Sequence, residues 1–150
     1  LKAIDYYHEY FSEKGLYENE VYLGVPDLLA SLKQAGKQLI VATSKPEEFS
    51  IQILKHFGLY DYFDFVAGAT MDRKRSKKSD VIQYALEQNG ITDLAHTIMI
   101  GDREHDVLGA QAQKFDSIGV LYGFGSREEL EEAGATYIAQ EVGEIAAFIG

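Results

Sequence analysis

Thr97-Ile98-Met99-Ile100-Gly101-Asp102-Arg103-Glu104-His105-Asp106-Val107-Leu108-Gly109-Ala110 is an apolar strand that runs straight into an acidic turn and then into a helix. The strand Thr97 to Ile100 delivers Asp102 to its carboxyl end, and Asp106 sits four residues later at the helix start. Positions four apart share a helix face, so the two acids can converge. A hard divalent cation such as magnesium prefers oxygen ligands of this kind. Gly101 permits a tight exit from the strand, and Gly109 and Ala110 permit close backbone approach. Val107, Leu108 and Ala112 supply the apolar face of the helix. The competing reading is a solvated helix start whose acids merely complement the dipole, and spacing alone leaves the two level.

The same rhythm extends in both directions. Pro26 suits the first turn of a helix to Gln34 with Val25, Leu28, Leu29 and Leu32 as its apolar face. Gln38 to Ala42 reads as a strand and Thr43-Ser44-Lys45-Pro46 as a turn, with a helix from Pro46 to His56. Phe63 to Ala67 is a further strand, Gly68 to Arg75 a loop, and Lys78 to Gln88 a helix through Val81, Ile82, Ala85 and Leu86. Ser117 to Leu121 is another strand, and Ser126 opens a capping box before a helix over Glu128 to Ala133. A short strand at Tyr137 to Ala139 and a helix from Val142 to Phe148 close the chain. Alternation of this kind favours an α/β fold with a parallel sheet covered on both faces, with ligands beyond the strands' carboxyl ends.

The beginning reads differently. Leu1 to Lys14 has helical spacing through Ile4, Tyr7 and Phe11, Gly15 is placed as its stop, and Leu16 to Leu23 reads as a linker. A helix that starts at Leu1 looks cut from a longer protein. With 150 residues the chain supports one core. Its formal charge of -10 repels nucleic-acid backbones and anionic membranes, so neither is an expected partner. Cysteine is absent, which excludes a disulfide framework and thiol catalysis. No apolar run approaches the roughly 20 residues of a membrane span, and a cytoplasmic location is the default expectation.

Three further groups bear on chemistry. Thr43 and Ser44 offer hydroxyls and backbone donors between strand and helix, a good seat for a phosphoryl oxygen or simply a helix cap. Arg73, Lys74, Arg75, Lys77 and Lys78 form a basic cluster in an acidic chain. Such runs are usually solvated, but one lysine at the helix start would suffice to neutralise an anion. Lys78 is better placed for this than Lys77. The four histidines lack metal-ligand spacing: His8 and His56 read as helix-surface residues, His96 as preceding a strand, and His105 as a loop residue. Tyr6, Tyr7 and Tyr10 suit packing, or a face against another module.

Taken in order, Val41-Ala42-Thr43-Ser44-Lys45-Pro46, Lys78 and Gly101-Asp102 with Asp106 resemble the second, third and fourth motifs of the haloacid dehalogenase-like hydrolases. The resemblance runs from Tyr22 to Gly150. Gly-Asp-Arg-Glu-His-Asp-Val-Leu-Gly-Ala and Gly119-Val120-Leu121-Tyr122-Gly123-Phe124-Gly125-Ser126 look most like the phosphoglycolate phosphatase branch. It implies a three-layer Rossmann-like core over residues 21–150, with residues 1–20 as the remnant of a helical cap and its linker. The family's Asp-x-Asp motif, carrying the nucleophile on the first core strand, has no counterpart here. The implied sheet therefore lacks its first strand, and a complete core needs the missing segment or self-association.

For a complete enzyme the resemblance implies magnesium-dependent hydrolysis of a small phosphorylated metabolite, with phosphoglycolate as a candidate, through an aspartyl-phosphate. Asp102 and Asp106 would hold the metal, Thr43 and Ser44 would bind the phosphoryl group, and Lys78 would offset its charge. Lys77-Lys78-Ser79-Asp80 lacks the proline frequent in that motif, which leaves Lys77 as a second candidate. A phosphosugar mutase shares this chemistry and stays open, whereas a dehalogenase would dispense with magnesium, which makes the Asp102-Asp106 pair evidence against it. A noncatalytic phosphate-binding or interaction fragment is the rival from another class, because the nucleophile is absent.

Overall fold

A computed structural model describes residues 6–70, 72 and 74–150. Six strands form one parallel sheet: β1 (His8–Phe11), β2 (Gln38–Pro46), β3 (Phe65–Ala69), β4 (Thr97–Gly101), β5 (Asp116–Val120) and β6 (Tyr137–Ala139). Their order is β3-β2-β1-β4-β5-β6. Between and after them run α1 (Val25–Gln34), α2 (Glu47–His56), α3 (Lys78–Gln88), α4 (Glu104–Ala112), α5 (Arg127–Ala133) and α6 (Val142–Ile149).

Period-two alternation sends neighbouring side chains to opposite faces. Phe11, Val41 and Ile100 join Leu29 of α1 and Ile145 of α6 on one side. On the other, Tyr10, Ile40 and Met99 meet Val81, Ile82 and Ala85 of α3. Sequence periodicity anticipates this parallel three-layer arrangement. The α5 caps also follow local chemistry: Ser126 Oγ accepts from Glu129 N at 3.0 Å, and Gly134 takes a left-handed φ of 94°.

The N-terminal segment departs from its helical expectation. His8–Phe11 is a strand with β2 on one side and β4 on the other, pairing Phe11 with both Val41 and Ile100. It fills the middle of the sheet, so the expected gap at a first strand is corrected. Spacing of Ile4, Tyr7 and Phe11 satisfies a helix, but two unpaired strand edges offer the segment a full ladder on both sides. Ile4 lies outside the described residues. Residues 6–17 share the core with the rest: Tyr6, Tyr10, Leu16 and Tyr17 are buried, whereas Tyr7 is exposed. His8, expected on a helix surface, starts β1 and contacts Gln38 Oε1 through Nδ1 at 2.9 Å.

Three smaller corrections matter near the strand ends. Thr43 to Pro46 continues β2 rather than turning, with an irregular register before Pro46 pairs with Ala69. The third strand begins at Phe65, because Tyr60–Tyr62 forms a 3-10 turn that Phe63 closes. In α4, Val107 is buried with Gly109 and Ala110, while Leu108 and Ala112 face solvent.

Candidate active site

Parallel strands end together, so β1, β2 and β4 bring their following residues to one side of the sheet. There a cavity of about 480 Å³ is lined by Ser12, Glu13, Lys14, Thr43, Ser44, Lys45, Lys78, Asp102, Arg103, His105, Asp106 and Phe124. It gathers Thr43, Ser44, Lys78, Asp102 and Asp106, all five site residues expected from sequence. Ser44 is exposed at the cavity and Thr43 is buried.

Asp102 follows β4 and is 1% exposed. The loop after β5 holds it: Phe124 N donates to Oδ2 at 2.9 Å, and Gly125 N donates to the Asp102 carbonyl at 2.9 Å. A Cβ at Gly123 would stand 2.5 Å from Asp102 Cβ, which explains the glycine. Burial pushes the Asp102 carboxyl above the ordinary carboxylate range; the Phe124 amide pulls it down and the Asp106 charge adds to the rise.

Asp106, also 1% exposed, locks the start of α4. Its Oδ2 accepts from Asp102 N and Arg103 N, each at 3.2 Å. Gly101 is required here because an added Cβ would collide with the Asp106 side chain. Lys78 Nζ lies 2.8 Å from Asp106 Oδ1 and donates to the Ala42 carbonyl at 2.9 Å. The helix start of α3 is thereby tied to β2 and α4, with Gly109 leaving room for the lysine stem. Lys77 is exposed, so Lys78 is the lysine brought to the cavity.

The rest of the basic cluster is elsewhere. Arg75 contacts Glu47 at 3.3 Å, donates to the Gly68 carbonyl at 2.8 Å and stacks 3.5 Å from the Tyr84 ring centroid. Lys74 is exposed, and Arg73 lies outside the described residues. His105 lines the cavity as an exposed residue, 3.9 Å from Asp106.

Sequence reading missed Ser12, Glu13, Lys14, Lys45 and Phe124. Glu13 is 3% exposed. Lys45 Nζ is 2.8 Å from its Oε1, and Ser50 Oγ donates to its Oε2 at 2.7 Å. Burial raises the Glu13 carboxyl, but Lys45 and Ser50 outweigh it and the net shift is downward. A helical reading of Leu1 to Lys14 hid all of the β1 contributions, since strand-end logic applies only once the segment is a strand. Lys45 stood inside the Thr43 motif and could have been found there.

The acid pair fits magnesium. Both donors are buried carboxylates, and Asp106 Oδ1 has the Lys78 charge nearby but no aligned hydrogen-bond donor. Among the described residues no group of three or more acidic, histidine or cysteine side chains forms a closed cage. Magnesium does not need one, because it commonly takes one or two carboxylates and completes its shell with water and phosphate oxygens. No helix among the described residues is long and apolar enough to cross a membrane.

Several known proteins are similar to this chain. A 5'-nucleotidase from Pseudomonas aeruginosa is 40% identical over 141 residues, covering 94% of this chain and 63% of that protein. Tyrosine-protein kinase PtkA from Mycobacterium tuberculosis is 38% identical over 138 residues, 91% of this chain and 47% of its own length. A phosphoglycolate phosphatase from Neisseria meningitidis is 35% identical over 108 residues, 72% of this chain and 46% of that protein. The chain thus spans about half to under two thirds of these relatives. A crystal structure described as a predicted phosphatase from Clostridium acetobutylicum superposes with a TM-score of 0.83 at 54% identity, over 86% of this chain and 59% of the other. The family model described as haloacid dehalogenase-like hydrolase matches residues 2–120, from β1 through β5, and the chain belongs to that family.

Proposed function

We propose that the complete protein is a magnesium-dependent hydrolase of phosphomonoesters carried by small metabolites. The observation that carries this reading is the convergence of Thr43, Lys78, Asp102 and Asp106 on one cavity at the strand ends. The Thr43 hydroxyl and the Ser44 side chain would hold phosphoryl oxygens. Lys78 would offset the charge that builds as the ester bond breaks, because a fixed ammonium in a dry site stabilises charge better than water does. Asp102 and Asp106 would hold magnesium, which when bound polarises a phosphoryl oxygen. Phosphoglycolate is one candidate substrate; the relatives of higher identity carry 5'-nucleotidase and tyrosine-kinase names, so nucleoside 5'-monophosphates belong beside it in the assay.

Hydrolysis through an aspartyl-phosphate needs an aspartate at the end of the central strand. This chain has Ser12, Glu13 and Lys14 after β1, so we assign the nucleophile to a part of the protein outside this chain and expect the 150 residues alone to be inactive. In that complete protein a strand carrying the nucleophile would take the central place that His8–Phe11 holds here, leaving residues 1–20 as cap remnant and linker. The test is Thr43→Val in the complete protein. Loss of the hydroxyl is expected to weaken orthovanadate binding about tenfold, in line with one charge-assisted hydrogen bond. Unchanged affinity rejects the phosphoryl seat.

A further inference from the structure

We infer that, with β1 in the sheet, the Glu13 carboxylate is an internal anion occupying the seat that the proposed function gives to a phosphoryl group. This rests on that reading and adds a self-blocking contact to it. Glu13 reaches the wall where Thr43 and Lys45 face the cavity. Its Oε1 pairs with Lys45 Nζ at 2.8 Å, and its Oε2 lies 3.5 Å from the Thr43 hydroxyl and 2.7 Å from Ser50 Oγ. A carboxylate and a phosphoryl group present the same chemistry to these donors, namely negative oxygens that accept. One therefore excludes the other.

The charge pattern of the whole cavity points the same way. Four cations line it, and each has an acidic partner: Lys14 with Glu18 at 3.5 Å, Lys45 with Glu13, Lys78 with Asp106 at 2.8 Å, and Arg103 with Glu129 at 2.8 Å. An incoming phosphate finds no ready ammonium. It must displace a carboxylate, or sit beside buried Glu13, Asp102 and Asp106 and be repelled. Among those three, Glu13 is the one whose cation is itself half exposed, since Lys45 keeps 44% of its side-chain surface. Lys78, the cation of Asp106, keeps only 6%, so the Glu13 pair is the looser one to open.

The experiment is a calorimetric titration of this chain with inorganic orthophosphate at neutral pH, comparing the parent with Glu13→Gln. The amide keeps the shape and removes the charge, and about tenfold or greater tightening is expected, abolished when Thr43→Val is added. Equal affinity of parent and Glu13→Gln, with Thr43→Val still weakening the parent, overturns the inference and spares the functional reading. If neither substitution changes phosphate affinity, the seat is elsewhere and both fall. Should Glu13→Gln not fold, Ser50→Ala serves, because it loosens the same carboxylate from outside the cavity: a few-fold tightening supports the inference, and no change overturns it.

Discussion

Lys78 Nζ and Asp106 Oδ1 stand 2.8 Å apart with side chains 6% and 1% exposed, joining the start of α3 to the start of α4 beneath the cavity floor. Removing one partner strands the other charge in a buried site. Lys78→Met is expected to destabilise the chain by about 3 kcal/mol, the cost of breaking a buried pair from one side. Adding Asp106→Asn should recover part of that loss, because the uncompensated charge is then gone. Urea unfolding of the two single variants and the double variant measures it. Additive losses would mean that the pair is not coupled.

Asp102 is a carboxylate held against its own solvation. Its folded pKa is raised, so the ionised form costs stability at neutral pH, and that cost fades as pH falls through the raised value toward the ordinary one. Asp102→Asn keeps an acceptor for Phe124 N and removes the charge. It should stabilise the chain by about 1 kcal/mol near pH 7, and the gain should vanish on acidification. A loss of stability at pH 7 would refute the assignment of burial as the dominant cause.

Gly101 has a tight steric role in the site, with the Asp106 side chain where its Cβ would be. Gly101→Ala is expected to cost about 2 kcal/mol by overpacking and to shift the helix start that Asp106 caps. Thermal melting checks the cost. A variant as stable as the parent would show that the loop relaxes freely.

Most of this architecture is legible in the residues. Strands β4 and β6 and helix α3 follow apolar periodicity and punctuation closely, and Lys78, Asp102 and Asp106 could be placed because strand ends and helix starts bring distant residues together. His8–Phe11 was not legible. Four residues with a buried Glu9 in their midst carry no alternation, and their strand state depends on two neighbours 30 and more positions away. Glu13 was lost with them. Leu108 failed for a local reason: Asp106, Val107, Gly109 and Ala110 already fill the buried side of α4, so the leucine between them points to solvent.

The proposed magnesium-dependent hydrolysis rests on the acid pair at the end of β4. The most direct measurement is phosphate release by the complete protein and its Asp102→Ala variant, across phosphoglycolate and nucleoside 5'-monophosphates, with magnesium titrated. Magnesium-dependent release by the parent and a loss of at least about a hundredfold in the variant are expected. Near-normal, magnesium-dependent turnover by Asp102→Ala would contradict the proposal.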